Sequence, residues 1–190
     1  MPRIVIGDGA LYYERQGVGF PVMLVTGLSG FASFWSDLVP GFAKSFDVIT
    51  HDHRGIGQSD LTRSGFTVDR MAADVIGLMD ALEIERAHIV GHSTGGAIAQ
   101  ILAIEQPKRV ASIVLSASWT KPDAYFRRFF GMRKDILLRL GPSAYVQANS
   151  LFLYPSWYVA QNNERLRQME AQTLAVFPPT EVAASRIDAI

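Results

Sequence analysis

Ile89-Val90-Gly91-His92-Ser93-Thr94-Gly95-Gly96 is the stretch whose reading decides the fold. It has the form G-x-S-x-G, with an apolar, β-rich run before it and a helical pattern after it. A serine on a sharp strand-to-helix turn projects its hydroxyl above a parallel sheet, where a carbonyl compound can reach it. Gly91 and Gly95 lack the Cβ atoms that would collide in so tight a turn. The spacing predicts a strand over Ala87–Gly91 and a helix over Thr94–Glu105, stopped near Pro107.

Working outward, residues 2–6 and 10–15 alternate around Gly7-Asp8-Gly9, the pattern of an antiparallel hairpin. Val22–Thr26, Phe46–Thr50 and Val110–Ser116 are short, nearly all-apolar runs, as in strands buried on both faces. Phe34–Ala43 reads as a helix. Val68, Met71, Ala72, Val75, Leu78, Met79 and Leu82 fall at helical spacing, so residues 67–82 read as an amphipathic helix. Thr67 is its N-cap, and Asp69 suits the positive end of the helix dipole. Strands alternating with helices predict an α/β fold with a mostly parallel sheet.

After Ser116 the pattern changes. Residues 119–190 show helical stretches and no convincing buried strand, yet they hold more than half of the aromatic residues, among them Trp119, Phe126, Phe130, Tyr154 and Trp157. Such a segment must cover something, and the expectation is a helical cap over the C-terminal edge of the sheet. The predicted division is 1–117 for the N-terminal part of the core and 118–190 for the cap, whose end could enter the remaining core.

Composition narrows the classes. Hydrophobic residues make up 48% of the 190 and charged residues 19%, enough apolar content for a large core. Lys+Arg and Asp+Glu balance at 18 each, which argues against a basic footprint for nucleic acid and a basic membrane anchor. There is no Cys, which excludes disulfides and thiolate metal sites, and the four His residues are not arranged as a metal set. No cofactor is expected. The first eight residues carry no sustained apolar run of a secretory leader, and no run approaches the roughly 18 residues of a membrane span. The expected location is the cytoplasm.

Ser93 is the candidate nucleophile, and the other reading is a serine in a tight turn. A serine hydroxyl attacks only with a neighbouring base, usually a His oriented by a carboxylate. The resulting oxyanion needs main-chain donors. The N–H of Thr94 is one candidate. The second is the N–H of Leu28, in the loop Thr26-Gly27-Leu28-Ser29-Gly30, which could also be a plain glycine-rich turn. His92 should face away from Ser93, because adjacent residues at a strand end point opposite ways. His51 and His53 flank Asp52 like a base–acid pair, but the glycines that follow suggest a turn with local hydrogen bonds. Arg54 is expected to meet a carboxylate or cap carbonyls there, and His88 to be an ordinary strand residue. The aromatic stripe reads first as core. Trp119, directly after a strand end, is the best candidate to line a substrate pocket, with Phe126, Phe130 and Tyr154 behind it.

Taken together, Gly91-His92-Ser93-Thr94-Gly95-Gly96, Asp52-His53-Arg54-Gly55-Ile56-Gly57-Gln58-Ser59 and Thr26-Gly27-Leu28 resemble the α/β-hydrolase family in order and spacing. Thr26 stands where members commonly have His, which matters little if the donor is the backbone of Leu28. Ser150-Leu151-Phe152-Leu153-Tyr154-Pro155 and residues 129–140 are similar to the aminoacrylate hydrolases of pyrimidine breakdown. Enol-lactonases are close in architecture, and cofactor-free perhydrolases share the Gly-His-Ser-Thr-Gly-Gly signature. The resemblance implies hydrolysis of a small carbonyl substrate: an ester, an enol-lactone or an aminoacrylate-type compound. A serine nucleophile argues against the dehalogenase and epoxide-hydrolase branches, which use Asp.

In that family the catalytic acid and His follow strands beyond the cap. No residue here matches them, and Asp188 is too close to the end to serve as the acid. The expectation is therefore a C-terminally truncated hydrolase, feeble or inactive by itself. Val110–Ser116 would then be an open edge, prone to self-association or to pairing with a complementing C-terminal fragment. Two other readings stay open. One is a ligand receptor without turnover, whose affinity would survive Ser93→Ala. The other is an interaction protein that captures a strand at the open edge.

Overall fold

A computed structural model describes residues 2–60 and 62–190; Met1 and Leu61 lie outside them. Six strands form one sheet in the order β1-β2-β4-β3-β5-β6. β1 (Arg3–Ile6) and β2 (Gly9–Gln16) make the antiparallel hairpin, and β2 pairs antiparallel with β4 (Phe46–His51). From β4 the sheet is parallel through β3 (Phe20–Val25), β5 (Ala87–His92) and β6 (Val110–Ser116). The parallel strands are joined through helices, as such connections require.

The alternation along β3 shows how the sheet is buried. Met23 and Val25 join Ile49 and Ile89 in a core completed by α2 (Val68–Ala81) and α3 (Thr94–Glu105), through Val75, Leu78, Met79, Ile98 and Leu102. Val22 and Leu24 face the other way, against Trp35 and Val48, with Val39 and Phe42 beside them. Side chains of period two thus serve two hydrophobic layers. Thr67 caps α2 as its position predicts, its side chain accepting from the N–H of Arg70 at 3.0 Å. β6 lies at one edge of the sheet, with Val114 and Leu115 exposed.

The helix expected over Phe34–Ala43 is not continuous. A 3₁₀ turn, Ala32–Trp35, is followed by a short α1, Val39–Phe42. Pro40 sits in the first turn of α1, the one place in a helix where its missing N–H costs nothing, so the helix starts there instead of running through it.

The chain divides into two compact units, one of Met1–Lys121 with Ala189–Ile190 and one of Pro122–Asp188. The boundary expected from the sequence lies at 117/118, with the end of the chain free to enter the core. The second unit holds α4 (Ala124–Leu153), α5 (Ser156–Gln161), α6 (Asn163–Ala175) and α7 (Thr180–Asp188). α4 is two helices joined at Gly141-Pro142, where Gly141 has φ 85°. Asp123 caps α4, accepting from the N–H of Phe126 at 2.8 Å. Within this unit the buried Arg133 guanidinium lies over the rings of Phe129, Phe130 and Tyr145, and its Nε donates to Asn149 Oδ1 at 2.9 Å. Burial pushes its pKa below the ordinary guanidinium value.

Arg54 does meet carboxylates. Its Nε and Nη2 donate to Asp74 of α2 at 3.0 and 2.6 Å, and its Nη1 to Asp8 of the hairpin turn at 2.6 Å. Those bonds, chiefly the one to Asp74, hold its pKa above the usual value. Both Arg54 and Asp74 are buried, whereas the Asp8 side chain is 67% exposed. Removing one partner of a buried pair strands the other charge. Asp74→Ala should therefore cost about 3 kcal/mol in urea unfolding at neutral pH. Asp8→Ala should cost clearly less, and equal losses would contradict this account.

Candidate active site

β5 ends at His92 and α3 begins at Thr94, so Ser93 is the junction between them. Its backbone takes φ 53°, ψ −118°, a left-handed turn that an L-residue holds only when its surroundings impose it. The surroundings are visible. The Ser93 N–H donates to the carbonyl of Ser116 at the end of β6, at 2.8 Å. Its carbonyl accepts from the N–H of Gly96 at 2.9 Å and from the hydroxyl of Ser118 at 2.9 Å. A Cβ at position 91 would sit 2.2 Å from the carbonyl oxygen of Gly95, and one at position 95 would sit 2.1 Å from that of Val25. Only glycine fits either place, as the turn motif requires.

The loop after β3 lies against the serine. A Cβ at Gly27 would be 3.0 Å from Ser93 Cβ. The loop is tied down at several points. Gly30 N–H donates to Gly27 O at 3.1 Å, Thr26 Oγ1 donates to Phe31 O at 3.0 Å, and His53 N–H donates to Gly30 O at 2.8 Å. Leu28 is half-buried in it. Thr94 is wholly buried at the first position of α3, and its Oγ1 makes no hydrogen bond among the described residues.

Asp52 carries more of this geometry than the sequence reading assigned to it. Its Oδ1 accepts from Ala32 N–H at 2.8 Å and its Oδ2 from Gln58 N–H at 2.9 Å, while Ser59 Oγ donates to its carbonyl at 2.6 Å. One buried carboxylate thus joins the loop after β3 to the loop after β4. Burial raises its pKa above the ordinary aspartate value, against the two N–H groups that favour the ionised form. The clue in the sequence was an Asp leaving a buried strand into a Gly-x-Gly-x-Ser loop, but its partner at Ala32 could not be read from spacing.

The histidines have separate surroundings. His92 stacks on Phe34, ring centroids 4.8 Å apart, and its Nδ1 lies 3.4 Å from Ser116 Oγ. His51 and His53 are buried and stack on each other at 5.1 Å. His88 contacts Ser112 Oγ at 2.8 Å and the ring of Phe20. Ser93 Oγ makes no hydrogen bond among the described residues. Asp188 pairs with Lys134 inside the helical unit.

Of the aromatic candidates, Trp119 belongs to the unit that holds Ser93, and its carbonyl accepts from Gln100 Nε2 of α3 at 2.8 Å. Phe126, Phe130 and Tyr154 belong to the helical unit. There Phe126 and Phe130 contact each other at 4.4 Å, and Tyr154 stacks on Tyr158 at 5.1 Å. A surface cleft of about 590 Å³ lies away from Ser93, between the hairpin turn and α2. Its main charged groups, Asp8, Arg54, Arg70 and Asp74, already neutralise one another. Among the described residues no group of three His or carboxylate side chains could hold a metal ion. No helix among them is long and apolar enough to cross a membrane.

The sequence pattern of the α/β hydrolase fold matches residues 21–172, and the chain belongs to that family and is a hydrolase. It is 41% identical over 188 residues to the protein named "Putative carbamate hydrolase RutD" of Azorhizobium caulinodans, covering 99% of this chain and 71% of that protein. The protein of the same name from Caulobacter vibrioides is 40% identical over 198 residues, covering 100% and 73%. Among solved structures, the enol-lactonase of Burkholderia xenovorans LB400 superposes with a TM-score of 0.87 at 25% identity, covering 100% of this chain and 73% of that one.

Two measurements check the site. Burial depresses the pKa of His92 below its ordinary 6.5, so an NMR titration of its ring should have a midpoint under pH 6.5. The sign for stability follows. The folded protein takes up this proton less readily than the unfolded chain, so the stabilisation is present above pH 6.5 and fades as the pH falls through the depressed value. Thr94→Val should leave stability unchanged or raise it, because the hydroxyl it removes is buried with no hydrogen-bond partner among the described residues. A clear fall in Tm would show that the hydroxyl is bonded in solution.

Proposed function

We propose that Ser93 is the nucleophile of this hydrolase and that it attacks the carbonyl carbon of a small substrate. The observation that carries this reading is the left-handed backbone of Ser93 at the mouth of α3, in a half-buried position beside the loop after β3. Attack moves the carbonyl electrons onto oxygen. The N–H of Thr94, at the positive end of α3, and the N–H of Leu28 are the donors assigned to that oxyanion. The hydroxyl proton passes through a general base, which no described residue supplies by a hydrogen bond to Ser93 Oγ, to the leaving group, whose expulsion leaves an acyl or carbamoyl ester on Ser93 that water then hydrolyses. Trp119 is assigned to the apolar part of the substrate.

The relatives' names narrow the substrate to compounds with a polarised carbonyl next to a heteroatom. The relatives named carbamate hydrolase, similar over nearly the whole chain, favour a carbamate, the structural likeness to an enol-lactonase favours a small enol-lactone or ester, and the sequence resemblance adds an aminoacrylate-type compound. The carbamate, the ester and the enol-lactone share the same attack at the carbonyl carbon and the same stabilised oxyanion.

The test is covalent. A serine-directed fluorophosphonate should add its mass at Ser93, and Ser93→Ala should abolish both the labelling and the turnover of p-nitrophenyl acetate that the protein shows. Turnover that survives the substitution would remove the reading. A receptor without turnover would instead keep its ligand affinity in Ser93→Ala.

A further inference from the structure

We propose that Ser118 is a positioning residue for the oxyanion donor at Thr94: its hydroxyl fixes and polarises the Ser93–Thr94 peptide. This inference rests on the reading of Ser93 as nucleophile. The Ser93 carbonyl and the Thr94 N–H are the two ends of one planar peptide group, so whatever fixes the direction of the carbonyl fixes the opposite direction of the N–H.

Three donors meet that carbonyl. Gly96 N–H at 2.9 Å and Ala97 N–H at 3.4 Å come from the first turn of α3 itself. The third, Ser118 Oγ at 2.9 Å, comes from outside the helix. A carbonyl oxygen only accepts, so the hydroxyl proton must lie between the two oxygens. Two helical donors hold the carbonyl along the helix direction, and the third arrives from the segment after β6 and restrains the rotation they leave.

The segment that carries Ser118 is built to bring it there. β6 ends at Ser116, whose carbonyl takes the Ser93 N–H at 2.8 Å. The next residue, Ala117, has φ 47°, a left-handed conformation unusual for alanine. On the far side, Trp119 O accepts from Gln100 Nε2 at 2.8 Å, and the same nitrogen donates to Gly96 O at 3.1 Å. Residues 116–119 are therefore stitched to the elbow and to α3 on both sides of the strained alanine. Position 96 admits no side chain, because a Cβ there would lie 2.4 Å from both Cβ and Oγ of Ser118. The second glycine of the Gly95-Gly96 pair thus leaves room for the Ser118 hydroxyl.

The chemical effect follows from the shared peptide. A hydrogen bond accepted by a carbonyl draws charge toward oxygen and makes the N–H of the same amide a better donor. Ser118 acts on an oxyanion at one remove, through the Ser93–Thr94 amide, without touching substrate.

The experiment is Ser118→Ala, with Gly96→Ala as an independent way of displacing the hydroxyl and Ala117→Gly as a control that keeps it. In Ser118→Ala and Gly96→Ala, the Ser93 carbonyl ¹³C resonance and the Thr94 amide proton should both move upfield, and kcat for p-nitrophenyl acetate should fall about three- to tenfold with KM unchanged. Ala117→Gly should keep the wild-type shifts. A merely structural serine would lower Tm without moving the Thr94 amide or splitting kcat from KM. Unchanged shifts in a folded Ser118→Ala protein overturn the inference, as does an unchanged kcat where Ser93→Ala is inactive. Turnover that survives Ser93→Ala overturns the nucleophile reading and this inference with it.

Discussion

The structure around the site depends on one backbone conformation, the left-handed turn of Ser93. A residue with a Cβ does not hold φ 53° unaided, and here the neighbouring elements impose it. β6 takes its N–H, α3 and Ser118 take its carbonyl, and two glycines clear the space on either side. Because each of these contacts comes from a different part of the fold, the turn exists only once β5, β6, α3 and the loop after β3 are assembled. The hydroxyl is thus carried by a frame tied at several points.

The surrounding charges follow a similar logic of ties between distant segments. Asp52 joins the loops after β3 and β4 through two main-chain N–H groups, and Arg54 joins the hairpin turn to α2 through two carboxylates. Asp52, Arg54 and Asp74 are buried, and each is satisfied by geometry that only the folded chain supplies. Asp52 ties the loop beside Ser93 to the end of β4. A buried Asp whose carboxylate replaces water with two amide donors is a rigid brace, and its raised pKa is the cost of the burial.

Some of this was legible in the sequence. The strands over 87–91 and 110–116, the helix over 94–105 and the N-cap at Thr67 depend on periodicity and local chemistry, and the structure has them within a residue. The helix expected across Phe34–Ala43 failed at Pro40, where the periodic apolar pattern concealed a break that the missing N–H makes. Ser93 and its flanking glycines could be read because a turn this tight constrains residues two positions apart. The role of Asp52 could not, since the same Asp-His-Arg-Gly run suits an ordinary turn until Ala32 is seen to donate to it.

What the amino-acid order determined by itself was therefore local: the alternation of strands and helices, the serine at their junction, and the glycines without which the junction cannot close. Tertiary structure alone decided which distant groups meet there. Asp52 finds Ala32 across 20 residues, Arg54 finds Asp8 across 46, and Ser118 finds Ser93 across 25. The physical reason is range. Backbone propensity and side-chain periodicity act over a few residues, whereas a buried hydrogen bond between loops is set by the strand order that brings the loops together.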